Sequence, residues 1–198
     1  MKDLVLCSYG VLIYLSIVNV FHLKSKSLTS QYGLFVIIFS LSEFVPVFKG
    51  CTIAEILLGQ LGTLSISTMI ILWLTLLTQK SLSRRIDSIL NFPAQFIICI
   101  LGIILYLGYF GFLELDIYHY GYFLDNPWAI GAFFMLQLYL WQYARRFSYI
   151  WLIALFAFVA RLQASNNLWD YLFDAVLWFA CVVSLLKTLL HRTKRLSG

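Results

Sequence analysis

Residues 168–195 read LWDYLFDAVLWFACVVSLLKTLLHRTKR. Asp170 and Asp174 stand in the first third of this stretch, Ala175 to Leu186 carries no charge, and Lys187, Arg192, Lys194 and Arg195 crowd its end. An apolar run that starts among acids and ends among cations has the signature of a membrane helix whose C-terminus is cytoplasmic, because cationic flanks of short loops are retained on that side. The same polarity recurs along the chain. Of the fourteen Lys and Arg residues, eleven (Lys24, Lys26, Lys80, Arg84, Arg85, Arg145, Arg146, Lys187, Arg192, Lys194, Arg195) fall on one side when the apolar runs are threaded alternately, and Lys2, Lys49 and Arg161 fall on the other. Every Asp and Glu except Asp87 maps to the side opposite the cations or to the outer half of a run.

The apolar runs lie near residues 4–21, 32–48, 53–78, 92–113, 128–143, 147–160 and 168–190. Crossing a bilayer takes about 20 apolar residues, with a working range of about 17 to 25. Most runs meet this. The fifth and sixth are short, separated by Ala144-Arg145-Arg146, and reach full thickness with Trp128, Tyr143 and Arg161 as interfacial anchors. Were that pair one bent or re-entrant element, downstream orientation would be unchanged, so charge placement does not distinguish seven crossings from five. The first run lacks a basic head and a small-x-small cleavage site, so it is expected to be retained. The expectation is a single polytopic domain over 1–198: an all-α integral membrane protein of about seven transmembrane helices, N-terminus outside and C-terminus cytoplasmic. Residues 114–127, rich in Tyr, are expected to lie in the outer headgroup layer.

Composition supports this reading. The chain is 62% hydrophobic and 12% charged, against a usual charged fraction of about 25%. The formal charge of +5 comes from short clusters at run ends, without the basic stripe and stacking aromatics of a nucleic-acid surface. Cys7, Cys51, Cys99 and Cys181 are scattered, with no C-x-x-C, and read as apolar fillers; no metal site or cofactor is expected. The absence of an N-x-[ST] sequon leans toward a bacterial inner membrane. A retinal protein shares the topology, but its lysine belongs mid-membrane in the last helix, and Lys187 is within a turn of the basic tail.

Several polar residues have bland roles available. Thr52 and Glu55 fit a capping box at the start of the third run, Asn91 with Pro93 fits a cap for the fourth, and Asn166 or Asn167 can cap the seventh with Asp170 as a first-turn acid. Asp174 is one turn deeper than Asp170 on the face of a continuous helix that Trp178 prolongs. Glu43 sits before the outer end of the second run. Gly59, Thr63 and Ser67 form a small-residue row on a continuous third helix, with Gln60 beside it as a buried amide. Together these suggest an outward-facing polar pocket bounded by Glu43, Glu55, Gln60, Arg161, Asp170 and Asp174. Tyr118, His119, Tyr120, Tyr122, Phe123 and Trp128 suggest an aromatic cuff for docking a partner. No catalytic residue is identified, since no nucleophile, metal cluster or oxyanion device stands beside the acids.

Three kinds of function fit. The leading one is a non-catalytic accessory or scaffold subunit of a cell-envelope membrane complex, with the lipid bilayer and a membrane-protein partner or second copy as its contacts. A small-solute transporter or binding protein would suit three-plus-one-plus-three parallel repeats, although the first three runs show no convincing similarity to the last three and no pair of interrupted helices is visible in the sequence. An outward-facing enzyme acting on a lipid or lipid-linked substrate is the third.

Overall fold

The computed structural model describes residues 2–21, 28–78, 88–113, 117–122 and 127–196, with the backbone alone at Lys2, Leu28, Thr29, Pro93, Trp128, Ala129 and 191–196. Lys24, Lys26, Lys80, Arg84, Arg85, Asp87, Glu114, Asp116, Phe123 and Asp125, used above for orientation or for the outer segment, lie outside these residues. The described chain is almost entirely helical: α1 Lys2–Val20, α2 Leu28–Phe44, α3 Ile53–Leu61, α4 Ile66–Thr78, α5 Phe92–Tyr109, α6 Pro127–Tyr143, α7 Arg145–Val159, α8 Leu168–Leu172 and α9 Ala175–Leu196. A 3-10 turn covers His119–Gly121, and two short strands, β1 Pro46–Phe48 and β2 Cys51–Thr52, pair antiparallel. Among the described residues one helix, α1, is long and apolar enough to cross a membrane by length and composition; Ser30–Phe44, Ile66–Thr78, Ala94–Tyr109 and Ala175–Leu190 are shorter apolar helices.

Three of the expected runs fold differently. The second ends in a β-hairpin: Pro46 follows the last turn of α2, and the Lys49-Gly50 turn has both φ values positive, 49° and 80°, the conformation that a two-residue hairpin requires. The third run, expected as one helix over 53–78, breaks between α3 and α4. Gly62 takes φ 76° as the α3 cap, its N–H donating to the Leu58 carbonyl at 3.0 Å, a conformation that favours glycine. The row Gly59, Thr63, Ser67 therefore does not share a helix face: Gly59 is on α3, Thr63 in the link and Ser67 buried in α4, while Gln60 is exposed. The seventh run breaks too. Phe173 adopts extended φ,ψ of −145°, 139° between α8 and α9, so Asp170, Asp174 and Trp178 do not form one stripe.

The helices group into two compact units, residues 1–64 with 69–82, and residues 65–68 with 83–198. In the first, α1 packs along α2. Tyr14 meets Phe35 edge-on at 5.2 Å and Phe35 meets Phe39 at 5.4 Å. The buried Tyr9 hydroxyl donates to the Gly62 carbonyl at 2.7 Å, and the Trp73 indole donates to Ser8 Oγ at 3.1 Å.

In the second unit α5 packs on α9. Gly102 makes room for this, since a Cβ there would lie 2.2 Å from Trp178 Cδ1 and 2.6 Å from Phe173 Cζ. The Trp178 indole donates to the Cys99 carbonyl at 3.2 Å. The fifth and sixth runs form two separate helices, α6 and α7, joined at the single residue Ala144, with Arg145 and Arg146 already helical. Gln137 Nε2 of α6 donates to the Ser148 carbonyl and Oγ of α7 at 3.0 and 2.8 Å, and Phe133 stacks on Trp151 at 6.3 Å with ring planes 10° apart.

Candidate functional site

The densest polar arrangement with a buried character lies in the second unit, at the start of α9. Asp174 Oδ1 accepts from the Leu177 N–H at 2.7 Å, which makes Asp174 the α9 cap. Its other oxygen, Oδ2, accepts from the Ser65 N–H at 2.7 Å. Ser65 is buried, and its Oγ accepts from the Thr68 N–H at 3.2 Å while donating to Thr68 Oγ1 at 3.0 Å. Thus one carboxylate engages backbone donors at the beginnings of two helices, α4 and α9. Both positions carry the positive end of a helix dipole, which favours an anion without any cationic side chain.

A second network surrounds α8. Asn167 is its cap, with Oδ1 accepting from the Trp169 N–H at 2.9 Å. The Asn167 amide donates to the Tyr118 carbonyl at 3.0 Å, and the Trp169 indole donates to the Ile117 carbonyl at 3.0 Å. Asp170 accepts from the Tyr118 hydroxyl at 2.8 Å and from Ser165 Oγ. Tyr171, buried and edge-on to Phe158 at 5.2 Å, accepts from the Gln163 N–H and donates toward the Gln163 and Ser165 carbonyls. Gly121 is buried against this loop, and a Cβ there would stand 1.9 Å from Asn167 Oδ1. Residues 117–122 are therefore tied onto residues 163–171 from both sides. The Tyr118 phenol is pushed above its ordinary value of 10.0, first by burial and then by the Asp170 carboxylate to which it donates.

In the first unit Thr52 and Glu55 form the capping box: Thr52 Oγ1 accepts from the Glu55 N–H at 3.3 Å and Glu55 Oε2 from the Thr52 N–H at 3.0 Å. Glu43 is half-buried near the C-terminal end of α2. Its Oε1 is buried with no hydrogen-bond partner among the described residues, and a Cβ on Gly10 would lie 2.8 Å from it. Gln60 is exposed on α3. Of the six proposed pocket residues, Glu43, Glu55 and Gln60 belong to this unit, and Arg161, Asp170 and Asp174 to the other.

Tyr118 serves the fold through Asp170 and through edge-on rings at Tyr109 and Tyr122, each 5.9 Å away. His119 sits 6.5 Å from the Tyr122 ring, and Tyr120 and Tyr122 are the exposed aromatics of the turn. Trp128 lies in the first turn of α6. Chemically, the Asp174 and Asp170 clusters hold backbone and hydroxyl donors; neither pairs a nucleophile with a base. No group of three or more His, Cys, Asp or Glu side chains able to hold a metal occurs among the described residues.

Ser65 and Thr68 were not singled out from the sequence, and the distinctive run from Ser165 to Tyr171 was given no role beyond its cap and first-turn acid. The available signal was Gly62 followed by Ser65-x-x-Thr68, a helix stop and a helix start three residues apart. Compared with protein-family models, with curated proteins and with solved structures, the chain gives no match.

Proposed function

We propose that this chain is a polytopic membrane protein acting as a non-catalytic accessory or scaffold subunit of a cell-envelope membrane complex, in an inner membrane of the bacterial kind. The observation that carries the membrane part is the α6–α7 hairpin, which is built with its polar groups inside. Gln137 is 8% exposed and bonded to buried Ser148, whereas Phe134, Met135 and Phe156 are 61%, 69% and 72% exposed. A surface of that kind has lipid or protein as its natural solvent. The scaffold part rests on the polar clusters of the second unit, whose donors and acceptors serve backbone and loop rather than a reacting group. Alkaline carbonate should leave the chain in the membrane fraction. Recovery in mild detergent should bring a stoichiometric membrane-protein partner or a second copy, read by native mass; recovery as a lone monomer in several detergents would remove the scaffold reading.

A second reading has one specific observation behind it. The two interrupted segments, α3–α4 and α8–α9, are the third and seventh apolar runs, the corresponding positions of a three-plus-one-plus-three repeat, and paired discontinuous helices mark solute sites in such transporters. The sequence expectation that no such pair exists is corrected by the breaks at Gly62 and Phe173. Uptake or thermal-shift screening of small solutes against the purified chain tests it; a solute that stabilises the wild-type chain saturably and is carried across vesicles containing it would favour this reading over a scaffold.

A further inference from the structure

Lys49 and Arg161 are the only non-glycine residues with positive φ among the described residues, at 49° and 51°. Both are cations assigned by charge placement to the outer side, where the chain keeps so few. Arg161 stands just past α7, in a complete Schellman arrangement: its N–H donates to the Phe158 carbonyl at 2.9 Å and the Leu162 N–H to the Ala157 carbonyl at 3.0 Å. Glycine is the usual occupant of that position, because a left-handed backbone brings the Cβ of any other residue against the following carbonyl. Lys49 occupies the first position of the hairpin turn, where Asn, Asp or Gly is favoured.

Backbone strain at a named residue is a reason to ask what the side chain does. Arg161 also differs from Arg145 and Arg146 in engagement, whereas Lys49, like Arg145, lies over an aromatic ring. Arg146 donates to the Ser88 carbonyl at 3.2 Å and Arg145 lies over the Trp141 ring at 5.9 Å. Arg161 is exposed, and among the described residues no hydrogen bond or ion pair engages its guanidinium; Lys49 is exposed with its Nζ 5.4 Å from the Phe48 ring. Each is flanked by exposed apolar side chains, Val159 and Leu162 for Arg161, Val47 and Phe48 for Lys49. An exposed cation rising from an apolar collar is the chemistry of the boundary between acyl chains and headgroups.

Building on the membrane reading, we propose that Arg161 and Lys49 are lipid-phosphate anchors, each held in a left-handed backbone position so that its charge meets the phosphate of an anionic phospholipid at the outer face. Both residues are exposed and lie beyond a helix or strand end, so among the described residues no hydrogen bond or ion pair stands between either charge and a phosphate. Arginine can bind such a phosphate through two parallel N–H groups, lysine as a point charge.

The test is thermal unfolding of the full chain in a mild non-ionic detergent, with added phosphatidylglycerol or phosphatidylcholine. Wild type should gain several degrees more from phosphatidylglycerol than from phosphatidylcholine. Arg161→Gly should raise the midpoint in lipid-free detergent by about 2 °C, through relief of the backbone, while losing about half of the phosphatidylglycerol increment. Arg161→Gln should lose the same increment without that rise. Arg161→Gly with Lys49→Gly should respond equally to both lipids. An unchanged phosphatidylglycerol increment in the double variant overturns the proposal, as does a wild type that responds equally to both lipids. Loss of the chain from membranes in carbonate would overturn the membrane reading and this inference together; retention in carbonate with an unchanged increment sinks the inference alone.

Discussion

Two carboxylates, one in each unit, are placed oppositely with respect to their helices. Asp174 precedes α9 and has both oxygens bonded to backbone N–H groups at 2.7 Å. Glu43 is the penultimate residue of α2, with Oε1 buried against Gly10 and without a hydrogen-bond partner for that oxygen among the described residues. The dipole of α9 favours the charge of Asp174, and that of α2 opposes a charge on Glu43. Similar acids near the ends of apolar segments thus differ in kind: Asp174 organises the start of two helices, whereas Glu43 is tolerated where Gly10 leaves it space. Asp174, read from the sequence as part of an outward-facing polar pocket, is a structural residue first, and its replacement is expected to damage folding before any activity is measured.

The largest expected effect is therefore at Asp174. Asp174→Ala leaves the Ser65 and Leu177 N–H groups unpaired and should cost about 3 to 6 kcal/mol, two hydrogen bonds to a charged acceptor at about 1.5 to 3 kcal/mol each. Asp174→Asn, which keeps one acceptor, should cost about half of that. Equilibrium unfolding in detergent measures both, and an alanine variant within about 0.5 kcal/mol of wild type would break the contrast. Next comes Gly10→Ala, whose Cβ would enter the space of Glu43 and the Phe39 ring. It should cost about 1 to 3 kcal/mol by overpacking, and Glu43→Ala in the same chain should recover part of the loss, a coupling that a double-mutant cycle reads.

Tyr118→Phe should cost about 1 kcal/mol at neutral pH by removing the bond to Asp170. It also has a pH signature. Because the phenol is pushed up from 10.0 in the folded chain, the folded state keeps a proton that the unfolded state loses. Its contribution is intact below about pH 10 and is lost as pH rises through and beyond that value. Wild-type stability should fall more steeply above pH 10 than that of Tyr118→Phe; equal slopes would remove the assignment. The smallest effect belongs to Glu43→Gln, expected within about 0.5 kcal/mol of wild type, since Oε1 has no hydrogen bond among the described residues to lose. A loss above about 1.5 kcal/mol would mean that the Glu43 charge has a partner after all.

Helices α1, α2, α5, α6 and α7 were legible because apolar runs of their length have few alternatives, and the caps at Thr52, Asn91 and Asn167 followed from side-chain oxygen one position before the run. The two interruptions were not. Leu61 and Leu64 flank the Gly62 break, and Leu172 and Phe173 flank the other, so apolarity continues straight through a change in backbone direction that it does not report. Gly62 with Ser65, and Asp174 itself, carried the local signal. The hairpin was written in Val47-Phe48-Lys49-Gly50-Cys51-Thr52, a β-branched and aromatic segment around a turn pair, which an apolar window absorbed into the second run. The partner of Asp174 was not legible at all, because Ser65 lies 109 residues away and only the fold brings it there.

The joint between α6 and α7 has a consequence for how the chain is made. With Ala144 alone between the helices, α6 and α7 share one rigid phase, and each added residue would turn the face of α7 by about 100°. Ser148 and Trp151 would then swing away from Gln137 and Phe133, carrying polar atoms into the apolar exterior. The hairpin is consequently a unit of folding: its two arms hide each other's polar groups only if they close on one another in this register, and one extra codon at position 144 would leave the ribosome delivering a pair that cannot close.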